Sequence, residues 1–225
     1  MGVFFYTGLA ERIDLKYMVV EREVETSAGD GLVEKGQKGW REKAVENVRL
    51  VAIALTIAIV VRLFIAEPRF IPSPSMVPTL AVGDRLLVEK VSYRLHVPSR
   101  GDIVVFEPPP QLQEYGYRAS QAFIKRVIGL PGQEVRVSGG RVYVDSEALS
   151  EDYIAELPAY EMPAVVVPEG HLFVMGDNRN DSNDSHVWGF LPIENVIGRA
   201  ALRFWPLDKV GAVASAPLSH QGDRG

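Results

Sequence analysis

One apolar run, from Leu50 to Ala66, constrains this chain more than any other feature of its sequence. The run reads LVAIALTIAIVVRLFIA and is interrupted once, by Arg62. As a helix rising about 1.5 Å per residue it would reach roughly 26 Å, close to the ~30 Å hydrocarbon core of a bilayer. It lacks the polar stripe of a core helix, and it begins too far along the chain for a cleavable signal peptide. The sequence therefore predicts one uncleaved transmembrane anchor over residues 46–69.

Positive charge is concentrated on the N-terminal side of this run. Arg69 is the only close base beyond Glu67, whereas five bases precede the run: Lys35, Lys38, Arg41, Lys43 and Arg49. The positive-inside rule then puts the N-terminus in the cytoplasm and residues 70–206 outside it. Residues 1–45 mix acids, bases and glycines without a sustained apolar period, which predicts a disordered cytoplasmic segment that starts at Met1 or at Met18.

Beyond the anchor, the sequence changes to short apolar segments separated by turn residues. A hairpin signature occurs where Gly139-Gly140 separates residues 134–137 (EVRV) from residues 141–144 (RVYV). Further strand-like segments lie at 85–89, 102–106, 122–128, 165–167 and 171–175. The pattern predicts a mainly β domain of antiparallel sheet over residues 70–206, in which 133–168 includes a hairpin excursion. Residues 207–225 are predicted to form a disordered tail.

The composition removes several classes of function. The chain of 225 residues has no cysteine, which excludes disulfides, a thiol nucleophile and cysteine-bound metal. Hydrophobic residues make up 47%, charged residues 24%, and the formal net charge is −5. Neither a largely disordered chain nor a nucleic-acid-binding surface is indicated by these values.

The segment from Ile71 to Leu80 (IPSPSMVPTL) places two serines among three prolines directly after the anchor. Proline fixes its own φ and disfavours the helical conformation in the residue before it, so a stiff, extended backbone is predicted around Ser75. A serine held in this way loses little entropy when a substrate docks, which suits a nucleophile. The alternative is a linker rich in proline and serine, and this segment alone does not decide between the two.

A serine nucleophile needs a base, and two residue types offer one. Of the four histidines, His186 lies in the segment richest in carboxylates, with Asp184 two residues before it, and this segment also reads as a surface turn. Lys125 lies in an alternating strand, on one face with Phe123 and Val127. If that face is buried, the pKa of Lys125 falls from about 10.4 to near 8, and the neutral amine can take the proton of a serine. A lysine at a strand edge is the more ordinary interpretation of this segment alone.

The acid-rich segment 177–185 also invites a metal-site interpretation. It lacks the glycine at the sixth position and the terminal glutamate of a calcium loop, so no metal ligand is assigned to it. Its two Asn-Asp-Ser triplets fit the glycosylation pattern and are interpreted as chance.

Five segments taken together resemble the type I signal peptidases, membrane-anchored Ser-Lys proteases of the S26 family that remove signal peptides. In chain order they are residues 72–80 (PSPSMVPTL), 83–88 (GDRLLV), 100–106 (RGDIVVF), 125–132 (KRVIGLPG) and 176–189 (GDNRNDSNDSHVWG). Each segment is weak evidence alone, but all five occur in that family's order behind a single anchor. The resemblance implies an antiparallel β-sheet catalytic domain of the kind shared with LexA-like peptidases.

The resemblance also implies a role for individual residues. Ser75 matches the nucleophile and Lys125 the general base, while Ser73 matches the hydroxyl that lines the oxyanion hole together with the Ser75 amide. Ser182 matches a residue that hydrogen-bonds the lysine and orients it. The remaining matches are positions that hold the site together: Asp177, Arg179 and Asp184, with Arg126 in support. No metal and no organic cofactor is implied.

The implied substrate is a secretory preprotein, bound in extended form through small side chains at the first and third positions before the cut. The implied partners are these preproteins, the lipid bilayer and the protein translocation machinery, without nucleic acid. The implied location is the plasma membrane, with a thylakoid membrane as the alternative.

The sequence departs from the family's commonest pattern at three positions. Pro74 stands where glycine is frequent, and Gln133 stands where aspartate is frequent. His186 stands where an arginine often pairs with the nearby aspartate, which makes the support of Asp184 dependent on the protonation of His186.

Two rival functions are weighed against this one. A self-cleaving peptidase of the repressor type would need a DNA-binding or self-cleavage segment, and the spanning helix argues against it. A membrane-anchored β scaffold, in which Ser75 is only linker, predicts that Ser75→Ala and Lys125→Ala change no processing activity.

Overall fold

A computed structural model describes residues 40, 43–213 and 215 of the chain, which divides after Ile59 into two units. The described residues of the first unit are helical. Helix α1 covers Lys43–Ile65, and its last turn, Val61–Ile65, is π-helical. Among the described residues, α1 is the one helix that is long and apolar enough to cross a membrane. Most of the segment predicted to be disordered, residues 1–45, lies outside the described residues.

The helix ends before the C-terminal end of the predicted anchor. Residues 66–69, predicted to be part of the anchor, instead belong to strand β1 (Ala66–Phe70), which pairs antiparallel with β2 (Arg85–Glu89). Pro68 accounts for the change, because proline disrupts a helix interior but is tolerated in an edge strand. β1 is such an edge strand.

The second unit is built on a large antiparallel sheet. Besides β1 and β2, its strands are β3 (Ile103–Phe106), β4 (Phe123–Gly129), β9 (His171–Met175), β10 (Leu191–Pro192), β11 (Val196–Trp205) and β12 (Gly211–Ala212). Their order is β1-β2-β11-β3-β4-β9-β10, and β12 pairs with β11. Three short helices connect them: α2 (Ser92–Leu95), α3 (Pro110–Glu114) and α4 (Ser185–Trp188).

A second antiparallel sheet is formed by the segment that the sequence marks as an excursion. It contains β5 (Glu134–Ser138), β6 (Arg141–Val144), β7 (Glu147–Ala148) and β8 (Met162–Val166), in the order β7-β6-β5-β8. Gly139 and Gly140 both have positive φ in the hairpin turn between β5 and β6. The expected fold class, a mainly β protein of antiparallel sheets behind one apolar helix, is confirmed.

Strand β11 lies between β2 and β3 in the sheet, and the sequence reasoning missed it. Its residues, VIGRAALRFW, lack a clean polar and apolar alternation because bulges interrupt its pairing with both neighbours. Gly198 is required where β11 approaches β2, since a Cβ there would lie 2.2 Å from the carbonyl oxygen of Glu89.

The predicted disordered tail, residues 207–225, begins too early. Leu207–Lys209 forms a 3-10 turn and β12 pairs with β11, so the first residues of this segment are part of the fold. The chain beyond residue 215 lies outside the described residues.

The core next to the large sheet holds the serine-bearing segment in place. Met76 and Leu80 are fully buried and pack with residues of β2, β3 and β4 in one cluster, whose other buried members are Ile71, Leu86, Val88, Ile103, Val105, Ile124 and Ala200. A separate cluster packs the second sheet against residues of β4 and β9, and it includes Val135, Val142 and Phe173. The serine segment is therefore attached to the sheet by its own apolar side chains.

Candidate active site

Ser75 lies in a series of turns between β1 and β2. The sequence predicted an extended backbone around Ser75, and this prediction is wrong. Instead, the N–H of Val77 donates to the Pro74 carbonyl (3.0 Å) and the N–H of Leu80 donates to the Met76 carbonyl (2.9 Å). The prolines exclude a regular helix but are compatible with turns, which bring Met76 into the core and leave Ser75 beside it.

Lys125 approaches Ser75 from β4. Its Nζ donates a hydrogen bond of 2.7 Å to Ser75 Oγ, although the two residues are 50 positions apart in the chain. The side chain of Lys125 is buried, as the apolar neighbours on its strand predicted. Burial lowers the pKa of Lys125 to about 8, although the negative charges of Asp184 and Asp177 oppose this change. A large fraction of the amine is therefore neutral under mildly alkaline conditions.

Ser73 lies on the other side of the serine hydroxyl. Its Oγ is 3.3 Å from Ser75 Oγ, and it lines the same cleft. Among the described residues, the Ser75 N–H has no hydrogen-bond acceptor. A hydroxyl and a free amide beside one serine are the donors that an oxyanion requires.

Arg126, the residue after Lys125 on β4, is buried, and its positive charge is paired with a carboxylate. Arg126 donates from Nε to Asp177 Oδ1 (2.8 Å) and from Nη2 to Asp177 Oδ2 (2.7 Å), and both side chains are buried. Thr79 adds a hydrogen bond of 2.6 Å to the same carboxylate. This contact attaches the end of the serine segment to the segment after β9.

Arg179 attaches the second sheet to the site. Its Nη1 and Nη2 donate to the two carboxylate oxygens of Glu151, at 2.8 and 2.7 Å, and its Nε donates to the Gly176 carbonyl at 3.0 Å. Tyr153 also donates to Glu151, at 2.6 Å. The sequence reasoning missed Glu151 and Tyr153, because nothing in the sequence relates the excursion to Arg179.

Asp184 is the second buried carboxylate near Lys125. It accepts hydrogen bonds from the Gly176 N–H (2.8 Å) and from His186 Nδ1 (2.7 Å), and the His186 ring stacks on Tyr160. Burial disfavours the ionised form of Asp184, but the interactions with His186, together with those of Ser182 and the Gly176 N–H, lower the pKa of Asp184. The histidine at this position therefore does pair with the aspartate.

Ser182 does not make the hydrogen bond to Lys125 that the resemblance implied. Its Oγ is buried and makes no hydrogen bond of good geometry in the described part of the chain, but it lies close enough to the Asp184 carboxylate to help lower the pKa of that group. It lies against Gly176, where an added Cβ would be 2.2 Å from Ser182 Oγ and 2.4 Å from the Ser75 carbonyl oxygen. The glycine thus lets Ser182 and the backbone of Ser75 approach each other closely.

A cleft of about 500 Å³ opens beside the two serines and Lys125. Its lining is mostly small or apolar and includes Pro72, Ala122, Phe123 and Ile124, with Tyr117, Gln121, Asp181 and Asn183 at polar positions. None of the described histidines hydrogen-bonds to Ser75, and His186 is engaged with Asp184. No group of three or more metal-ligating side chains occurs among the described residues.

All of these site residues lie in the part of the chain that matches a known family. The family model for signal peptidase, peptidase S26, matches residues 44–205. The chain is 60% identical over 170 residues to a protein of Synechocystis sp. named "Probable signal peptidase I-1", covering 76% of this chain and 87% of that protein. It is 47% identical over 173 residues to signal peptidase I of Leptolyngbya laminosa, covering 77% and 85%. It is 43% identical over 211 residues to "Probable thylakoidal processing peptidase 2, chloroplastic" of Arabidopsis thaliana, covering 92% and 57%.

The matches first define the chain as a peptidase, which is a hydrolase. Because the family model matches well over half of its residues, the chain belongs to the signal peptidase family, peptidase S26. The resemblance drawn from the five sequence segments is confirmed.

Proposed function

We propose that this chain is a membrane-anchored serine endopeptidase that removes N-terminal signal peptides from exported preproteins, with Ser75 as nucleophile and Lys125 as general base. The observation that carries the proposal is the 2.7 Å hydrogen bond between Lys125 Nζ and Ser75 Oγ, made by a buried lysine. Membership of the signal peptidase family supports the substrate class, and helix α1 supports the anchor.

The proposed acylation step begins with neutral Lys125, which accepts the proton of Ser75 Oγ as the oxygen attacks the scissile carbonyl carbon. The carbonyl oxygen becomes an oxyanion, which the Ser75 N–H and the Ser73 hydroxyl stabilise. Protonated Lys125 then gives its proton to the leaving amine. The acyl group stays on Ser75 Oγ, and the new N-terminus is released.

Deacylation uses the same groups in the same order. Neutral Lys125 takes a proton from a water molecule, which attacks the ester carbonyl, and Ser75 leaves with that proton. We propose that Ser182 orients Lys125 at the stages in which the lysine is protonated, because an ammonium needs more hydrogen-bond acceptors than an amine. The buried Oγ of Ser182, which lies near the Asp184 carboxylate but makes no hydrogen bond of good geometry in the described part of the chain, is proposed as one.

The cleft supports recognition of an extended peptide with small side chains. Ala122, Ile124 and Pro72 line it beside Ser75, and they offer apolar contact with little polar character. A membrane-surface location is proposed from α1, which is joined directly to β1 and, through Ile71–Pro74, to Ser75. We propose the plasma membrane, or a thylakoid membrane as in the plant relative, with the N-terminus cytoplasmic. The translocation machinery is the proposed source of substrate.

The proposal is tested by cleavage of a preprotein in detergent, with the new N-terminus read by mass spectrometry. Wild type and His186→Ala should cut after a small residue, whereas folded Ser75→Ala and Lys125→Ala should be inert. If Lys125→Ala cuts and His186→Ala does not, the base is a histidine and the proposal is wrong. Absence of cutting by the wild type would favour the anchored scaffold.

A further inference from the structure

We propose that the surface formed by the end of α1 and residues 90–97 binds the anionic headgroup of a membrane lipid, with Arg94 and Lys90 as its charged contacts. We call it the 90–97 surface. The inference rests on the proposed membrane anchoring of the chain. It concerns a part of the molecule that contributes no residue to the Ser75 cleft.

A cleft of about 240 Å³ lies at the centre of this surface, lined by Leu63, Lys90, Tyr93, Arg94, Val196 and Ile197. The chain connects it closely to the candidate membrane span. Leu63 belongs to the last turn of α1, and the Lys90 N–H donates a hydrogen bond of 2.9 Å to the carbonyl of Ile65, the last residue of that helix. A bilayer spanned by α1 would therefore have its headgroups at the level of this cleft.

The charge of the cleft favours an anion. Arg94 makes no ion pair with a carboxylate in the described residues, and its guanidinium carbon lies over the Phe64 ring, 5.5 Å from the ring centre. Lys90 Nζ is 2.6 Å from Glu67, which also pairs with Arg69, so this carboxylate is already shared by two bases. A planar guanidinium held on an aromatic ring is well suited to a phosphate-like group, and one lysine beside it adds a point charge.

The apolar residues around the cleft favour a lipid over a soluble anion. Val91, Leu95 and Val97 expose 39%, 81% and 64% of their surface, although they occur within seven consecutive residues. Alternation of such side chains with Tyr93, Arg94 and His96 is typical of segments that lie in the headgroup region, where apolar groups insert and arginine reaches the phosphate level. A free phosphate would make no contact with the apolar side chains of Val91, Leu95 and Val97 that favours its binding.

Insertion of the rim is tested with a fluorescent label on the full chain in nanodiscs. Because the chain has no cysteine, Leu95→Cys provides a single labelling site. Arg141→Cys, on an exposed position at the start of β6, is the matched control. In phosphatidylcholine nanodiscs with 30% phosphatidylglycerol, a lipid-borne quencher should reduce emission at position 95 at least fivefold more than at position 141. Equal quenching of both labels by aqueous iodide would overturn the inference.

The headgroup is tested by native mass spectrometry of the full chain released from the same nanodiscs. Arg94→Gln should retain about fivefold less phosphatidylglycerol than wild type, the contribution of one base near an anionic surface, while Arg141→Gln should not differ from wild type. Equal retention by Arg94→Gln, or displacement of the lipid by millimolar inorganic phosphate, would overturn the lipid assignment. A chain that does not enter nanodiscs contradicts the proposed anchoring as well. Preprotein cleavage by Arg94→Gln in detergent should equal wild type, so a failure of the peptidase proposal is seen separately.

Discussion

Lys125 and Arg126 are neighbours on β4 and both are buried, yet their surroundings differ completely. Arg126 is held by both oxygens of Asp177 and by the Gly101 carbonyl, at 2.7 to 2.9 Å. Lys125 has one hydrogen bond, to Ser75 Oγ, and no carboxylate within ion-pair distance in the described residues. Because successive side chains of a strand point to opposite faces, one strand can serve both purposes. A buried charge with a counter-ion stays ionised, whereas burial without one favours the neutral amine that we propose as the base.

The largest effect is expected from removing the uncompensated amine. Lys125→Met fills the same space without a proton acceptor, so kcat/KM for a preprotein should fall by about 10³-fold or more. The far-UV circular dichroism of the variant should match that of the wild type. A folded Lys125→Met that keeps a tenth of the activity would show that the lysine is not the base.

Removing Arg126, whose charge is paired with Asp177, should destabilise the fold instead. Arg126→Met leaves Asp177 buried without its partner, which costs about 3 to 5 kcal/mol of unfolding free energy. Denaturant unfolding measures this loss. The double variant Arg126→Met with Asp177→Leu removes both charges and should recover part of it. Equal stability of the single variant and the wild type would contradict the assigned structural role.

Lys125→Met and Arg126→Met should also change the unfolding free energy in opposite directions at pH 7. The pKa of Lys125 in the folded protein, about 8, lies below its ordinary value of 10.5, so between these pH values the unfolded chain binds more protons than the folded one. Stability therefore rises with pH across this window and is about 3 kcal/mol lower below pH 8 than above pH 10.5. Lys125→Met lacks this dependence and should be the more stable protein at pH 7. A wild-type protein that matches Lys125→Met in unfolding free energy at both pH 7 and pH 10.5 would contradict the lowered pKa.

The smallest effect concerns the second carboxylate. The charge of Asp184 raises the pKa of Lys125, and its partner His186 is not permanently charged. His186→Arg supplies a permanent charge that offsets Asp184, so the acid limb of kcat/KM should move down by on the order of 0.5 pH unit. His186→Gln, the matched uncharged variant, should not show this downward movement. An acid limb that does not move with arginine would contradict the effect of the Asp184 charge on Lys125.

Local pattern predicted the elements that have a strong local signal. The hairpin at Gly139-Gly140 and most strands followed from short apolar segments and turn residues, and the burial of Lys125 followed from its apolar strand neighbours. The predicted C-terminal end of the anchor and the predicted start of the tail were wrong, because the pairing of β1 with β2 and of β12 with β11 depends on distant residues. β11 was missed for the same reason: its bulges and Gly198 are explained only by the partner strand.

The site shows the same division. The five segments predicted Ser75, Lys125, Asp177, Arg179 and Asp184 as site residues, and in the structure these residues lie together around Gly176 and the Ser75 turn. Their ion-pair and hydrogen-bond partners could be predicted only in part. Glu151 and Thr79 are ordinary polar residues in the sequence, and they acquire their roles from contacts with residues 28 and 98 positions away. The extended backbone predicted for Ser75 was wrong, because proline restricts φ but does not choose between a turn and a strand.

Titration of Lys125 itself tests directly whether this lysine is a neutral base near pH 8. The full chain, labelled with ¹³C at lysine Cε and held in detergent, gives one resonance for each lysine. The resonance that is missing from Lys125→Met belongs to Lys125. We expect a midpoint near pH 8 that coincides with the acid limb of kcat/KM for preprotein cleavage. A midpoint above pH 10, with an acid limb at a different pH, would contradict it.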